Sequence, residues 1–222
     1  MSISENYLAI QSSIPKEVTL VVVSKTHPVE KIMEVYNAGH RIFGENKVQE
    51  MEEKHHQMPK DIQWHLIGHL QTNKVKFIAP FVHLIHSVDS LKLLQEINKQ
   101  ALKNNRIINC LLQIYIANEE TKFGLSMEEA ELLIHSKEFT DLKNICIRGV
   151  MGMATNTDNK EQIKNEFHSL TIFFDKNKQN STFNFQLQTI SMGMSSDYAL
   201  AIEQGSTMIR VGSSVFGERH YV

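Results

Sequence analysis

Apolar residues along this chain follow two alternating patterns. Short runs that are nearly continuously apolar are separated by stretches where apolar residues recur every three or four positions. The first run, Val18 to Lys25, contains Val18, Leu20, Val21, Val22 and Val23. A β-branched run of this kind reads as a strand buried on both faces. Further strands are predicted at Arg41–Phe43, Ile62–Ile67, Val82–His86, Ile107–Ile116, Ile145–Met151, Phe185–Ile190 and Thr207–Val211. Helical spacing fills the intervals. A leading helix covers residues 3–13, with Tyr7 and Ile10 on one face. Val29, Ile32, Met33 and Tyr36 mark the next, stopped by Gly39. Asn46 with Gln49, and Ser126 with Glu129, make capping-box patterns, and Ser90 caps a helix through Leu94 and Ile97. Ile163, Phe167, Leu170 and Phe174 mark a long helix, and residues 197–203 a short one.

Eight strands alternating with helices predict an α/β fold with a parallel sheet and helices outside. Two closures fit: a doubly wound open sheet or a (β/α)8 TIM-type barrel. Eight strands in 222 residues favour the barrel, whose usual length is about 250 residues. With no linker or composition shift, residues 1–222 read as a single domain, of which 1–17 is a leading helix and linker.

Composition narrows the function classes. A formal charge of -2 leaves no electrostatic footprint for nucleic acid or an anionic membrane. No apolar run approaches the roughly 20 residues of a membrane span. The first residues carry an acidic group and no basic segment, unlike a secretory signal. Cys110 and Cys146 lie in apolar strand-like runs and read as reduced core thiols of a cytoplasmic protein.

Candidate chemistry lies at the strand carboxyl ends, where a barrel carries its active site. The loops after strands seven and eight, Ser191-Met192-Gly193-Met194-Ser195-Ser196 and Arg210-Val211-Gly212-Ser213-Ser214, combine small residues with hydroxyls. Backbone N–H groups there can approach a phosphate, and Ser195 and Ser196 precede a helix start. Ordinary turn and cap chemistry is the competing reading. Lys25, at the mouth of strand one, is either a lysine snorkelling to water or a neutral amine facing that cradle. The second arrangement suits a Schiff base to pyridoxal phosphate. Other motifs are weaker. Gly193-Met194-Ser195 lacks the second glycine of a hydrolase elbow. His65 and His69 flank Gly68, where a strand should end, so no metal site is expected.

Several blocks carry a family resemblance: Ser24-Lys25-Thr26; Phe43-Gly44-Glu45-Asn46-Lys47-Val48-Gln49-Glu50; Trp64 to Gly68 with Leu70 to Lys74; His86 to Asp89; Ser191 to Ser195 with Asp197; and Ile209 to Ser213 with Phe216-Gly217. Together they resemble the pyridoxal phosphate homeostasis proteins. The resemblance implies a barrel of fold type III, similar to the N-terminal domain of alanine racemase. It implies Lys25 as the aldimine lysine and phosphate contacts from Ser195, Gly212 and Ser213. It also implies Arg210 against the pyridine nitrogen, with Asn46 and His65 near the ring. The chain departs from the pattern at Lys47, where tyrosine is usual, and at Tyr115, where asparagine is common; the leading helix is also short. Lys122 fits the pattern, although a solvated loop lysine explains it as well.

Two functions from different classes follow. One is a carrier that holds pyridoxal phosphate on Lys25, without turnover of its own, and passes it to apoenzymes that use it. The other is an amino-acid racemase. Racemization needs acid–base groups on both faces; the racemases take the second from a tyrosine of another domain, and here Tyr221 follows strand eight almost at once. The carrier reading is preferred, as a monomer with no catalytic residue. A barrel for a different phosphate ligand, such as a sugar phosphate, is the third possibility.

Overall fold

A computed structural model describes residues 2–118 and 123–217. The chain begins with α1 (Ile3–Ser13), closed by a capping box between Ser2 and Glu5. It then alternates through β1 (Thr19–Val23), α2 (Val29–Asn37), β2 (Ile42–Glu45), α3 (Val48–Gln57) and β3 (Gln63–Leu66). A 3₁₀ turn, Thr72–Lys74, runs into α4 (Val75–Ile78). There follow β4 (Leu84–Val88), α5 (Leu91–Lys103), β5 (Ile108–Gln113), α6 (Met127–Ile134), α7 (Lys137–Thr140) and β6 (Ile145–Met151). The last part contains α8 (Lys160–Asn177), β7 (Phe185–Ser191), α9 (Tyr198–Glu203), β8 (Met208–Val211) and α10 (Ser213–Phe216).

All neighbouring strands pair in parallel, and β8 pairs with β1 from Thr19–Met208 to Val22–Val211. The sheet is therefore a closed eight-stranded barrel, and the open-sheet alternative is excluded. The main core lies between strands and helices, where Phe43, Trp64, Ile85, Leu94 and Phe167 are fully buried. A smaller apolar cluster, Val21, Leu84, Leu111, Met151 and Met208, fills part of the lumen. Cys110 and Cys146 are buried free thiols on adjacent strands.

Most predicted elements stand within two residues of their expected places. The Ser90 cap and the Ser126–Glu129 capping box both form. The Asn46–Gln49 box does not: α3 starts at Val48 without a side-chain cap. Strand four starts late because Val82 N–H still bonds the Ile78 carbonyl at the end of α4. Strand five ends early because Ile114 and Tyr115 turn out to pair with Leu125.

Candidate functional site

The carboxyl-end rim is built from the loops after β1, β2, β7 and β8. A buried network fixes the first of these. Ser24 Oγ donates to Glu45 Oε1 at 2.6 Å. Lys54 Nζ, reaching up from α3, donates to the Ser24 carbonyl, to Glu45 Oε1 at 2.8 Å and to Glu50 Oε1 at 2.7 Å. Glu50 Oε1 also accepts from Thr26 N–H at 2.5 Å. Thr26 sits at φ 68, a left-handed conformation that a β-branched residue adopts at a cost. The network thus grips both residues flanking Lys25. Glu45 is fully buried, and this pushes its carboxyl up to about 7, against the pull of Lys54. A buried ion pair stabilises little overall, because desolvation offsets the attraction; here its geometry positions a loop.

The cradle lies alongside, because β8 pairs with β1 and Gly212 packs against Val23. Met194 N–H donates to Asp197 Oδ1, which shapes the turn carrying Ser195. The N–H groups of Gly212 and Ser214, at the start of α10, converge on Ser195 Oγ at 3.2 and 3.4 Å. Asn46 comes to the rim because Gly68 lets the chains cross: a Cβ on Gly68 would stand 2.4 Å from the Asn46 carbonyl oxygen.

Arg210 forms the floor. It is buried, and its Nη1 donates to the Ser191 carbonyl at 2.8 Å and to Ser191 Oγ at 2.6 Å. Its Nη2 donates to the Gly152 carbonyl at 3.1 Å. All three acceptors are neutral, and burial lowers the guanidinium to about 10, so it remains charged at ordinary pH. Below it, Ser191 Oγ contacts His86 Nδ1 and His86 Nε2 contacts His65 Nδ1, each at 3.0 Å. Burial holds both imidazoles neutral, His65 down to about 3.

A cavity of about 300 Å³ opens between these parts. It brings together Lys25, Asn46, Ser195, Arg210, Gly212 and Ser213, six of the seven residues singled out from sequence, beside apolar walls that include Ile67, Met153 and Met194. The seventh, His65, does not line it. It points into the lumen one layer below Arg210 and lines a separate cavity at the amino end. The reason is register. His65 pairs with Gly44, inside β2, whereas Asn46 lies beyond the end of that strand. Lys47 flanks α3, outside the cavity lining, while Lys122 and Tyr221 fall outside the described residues. Among the described residues no group of three His, Cys, Asp or Glu side chains could hold a metal.

A family profile described as the alanine racemase N-terminal domain matches residues 1–220. The pyridoxal phosphate homeostasis protein of Aquifex aeolicus is 41% identical over 204 residues, covering 91% of this chain and 87% of that protein. This chain belongs to the pyridoxal phosphate homeostasis protein family. The member from Schizosaccharomyces pombe is 39% identical over 211 residues, 94% of this chain and 87% of its own length. PipY of Synechococcus elongatus PCC7942, solved with pyridoxal phosphate bound, superposes with a TM-score of 0.87 at 34% identity, covering 97% of this chain and all of that one. An alanine racemase from Clostridium difficile 630 shares the fold alone: TM-score 0.79 and 14% identity over 99% of this chain and 57% of the racemase.

Sequence reasoning did not single out Glu45, Lys54, His86 or Ser191 for the site. Glu45 and Lys54 carried a usable signal, a carboxylate in a strand nine residues before a lysine on the helix that covers it. His86 and Ser191 stood in strand-end loops and in blocks of the family resemblance, with no role of their own assigned.

Proposed function

We propose that this chain binds pyridoxal phosphate in the carboxyl-end cavity, with Lys25 as the covalent anchor, and that it holds the cofactor for other proteins instead of turning over a substrate. The observation that carries this reading is the convergence of an amine, a phosphate-sized set of donors and a buried guanidinium on one cavity. Relatives named for pyridoxal phosphate homeostasis, and PipY with that cofactor bound, support it. The cofactor supplies an aldehyde on a pyridine ring that can delocalise charge. Lys25 Nζ, as a neutral amine, would form a C=N bond to the aldehyde carbon, the aldehyde oxygen leaving as water. Ser195, Gly212 and Ser213 hold the phosphate through a hydroxyl and backbone N–H groups. Arg210 can only donate a hydrogen bond. Facing the pyridine nitrogen, it keeps that nitrogen unprotonated and weakens the ring as an electron sink. Asn46 borders the ring edge, and the apolar walls exclude water from it.

Among the described lining residues Lys25 carries the one amine, and none carries a carboxyl, imidazole, phenol or thiol. A two-base racemization has no second partner there, which favours a carrier that delivers the cofactor to apoenzymes. The described residues include no helix long and apolar enough to cross a membrane.

The test is spectroscopic. Protein loaded with pyridoxal phosphate should show a visible absorption band, borohydride should fix the cofactor on the Lys25 peptide, and Lys25→Ala should lose both. Uptake of cofactor without the band, or a modified peptide elsewhere, would overturn the assignment of Lys25. Alanine or serine enantiomers incubated with the loaded protein should not racemize above background; turnover would overturn the carrier reading.

A further inference from the structure

We propose that the amino-end mouth of the barrel is a second binding site, for a small carboxylate. It does not depend on the role assigned to Lys25. The cavity there measures about 270 Å³, near the lower bound of small-molecule sites. Its polar lining includes Gln63, His65, His83, Asn109, Arg148 and Thr189, and no Asp or Glu lines it among the described residues.

Arg148 is delivered there by an irregularity. In the β5–β6 pairing, Cys110 faces Ile147 and the next residue, Leu111, faces Gly149, so Arg148 is the extra residue of a bulge. Bulges re-aim side chains. The adjoining Gly149 permits the close approach, since a Cβ there would lie within bonding range of the Thr189 carbonyl oxygen. Arg148 donates to Asn109 Oδ1 and Gln186 Oε1, both neutral amide oxygens. A guanidinium held only by neutral acceptors favours an anion, and its planar fork matches a carboxylate. It is the one permanent charge in the described lining, which selects a monoanion over a phosphate dianion.

The second, independent observation is His65. It is buried, lines this cavity, and its Nε2 has no hydrogen-bond partner among the described residues. One proton order satisfies the chain above it. Arg210 donates to Ser191 Oγ, Ser191 donates to His86 Nδ1, and His86 Nε2–H donates to His65 Nδ1. That order leaves His65 Nε2 carrying a proton with no acceptor, a costly arrangement that a carboxylate oxygen relieves. The His83 ring stacks parallel to His65, with centroids 5.5 Å apart, and forms the rim. The hydrogen-bonded file Arg210–Ser191–His86–His65 then joins the floor of the upper cavity to the lower site.

The test is an acetate titration of the full chain, saturated with pyridoxal phosphate so that the upper cradle is filled, read by the side-chain nitrogen resonances of its histidines. Acetate should shift His65 and His83 saturably, and Arg148→Gln should weaken this by at least roughly tenfold, as expected for loss of a charge-assisted fork. Pyridoxal phosphate uptake by the variant should stay within about twofold of wild type. If Arg148→Gln does not fold, His83→Phe keeps the ring stack, removes the rim nitrogens and should weaken acetate severalfold. No saturable shift, meaning a mouth that holds only water, would overturn the proposal. So would equal shifts in wild type and in either variant, or shifts seen only in cofactor-free protein.

Discussion

The barrel strands present two faces built on opposite principles. The outward face packs Phe43, Trp64 and Ile85 against helix residues such as Phe167 and is apolar apart from the Ser24–Glu45–Lys54 network. The inward face combines a small apolar cluster with the buried polar side chains of His65, His86, Ser191 and Arg210. The shell resembles any close-packed core, where burial stabilises and little else is asked of a side chain. Polar groups in the lumen need partners, and an unmet one, as at His65 Nε2, marks where a ligand can sit. The shell sets stability, and the lumen with its rim sets binding.

Substitutions should separate the two. The largest stability loss is expected for Trp64→Ala in the shell, about 3–5 kcal/mol in urea unfolding, with cofactor affinity of the folded fraction unchanged. A large loss of affinity would break the division. Lys54→Met joins both regions, because it leaves Glu45 and Glu50 without their cation. It should cost about 3–5 kcal/mol and also slow formation of the Lys25-dependent absorption band; normal band kinetics in the folded variant would show that the network does not position Lys25. Acid should weaken the fold next. Burial lowers His40 to about 4 and His65 to about 3, so the unfolded chain takes up protons that these groups refuse. Between pH 6.5 and 4.5 stability should fall by roughly 1.4 kcal/mol per pH unit for each such histidine. Glu45, raised to about 7, acts in the opposite sense and reduces the slope. Urea midpoints across that window give the balance, and a flat profile would contradict neutral histidines in the lumen. Ser195→Ala should be the mildest: stability within about 0.5 kcal/mol and roughly tenfold weaker pyridoxal phosphate binding by equilibrium dialysis.

The same division explains what the sequence makes legible. Strand positions follow from apolar runs because the outward face forces every second residue to be apolar and short stretches of lumen are apolar too. Lys25 and the Ser195 and Gly212 loops could be found because strand ends in an α/β fold are where chemistry collects. The placement of His65 could not: one step of register decides whether a strand residue faces the rim or a deeper layer, and a four-residue strand gives no internal check on that register. The Asn46–Gln49 cap failed for a related reason. A side chain suited to capping α3 lies instead along the cavity, and the pattern is the same for either use. Long-range partners such as His86 with Ser191 are set by barrel closure, and nothing local announces them, whereas Glu45 and Lys54 belong to one strand–helix unit.

The backbone at Thr26 is uphill by itself, and the carboxylate of Glu50 props it. The amine beside it is therefore aimed by a conditional brace and not by a rigid wall. Weakening that brace, as in Glu50→Gln, should let Thr26 relax toward an extended shape. For the carrier proposed above, which would both grip a reactive aldehyde and surrender it, this hinge of one residue offers a means to loosen the hold without unfolding any of the barrel.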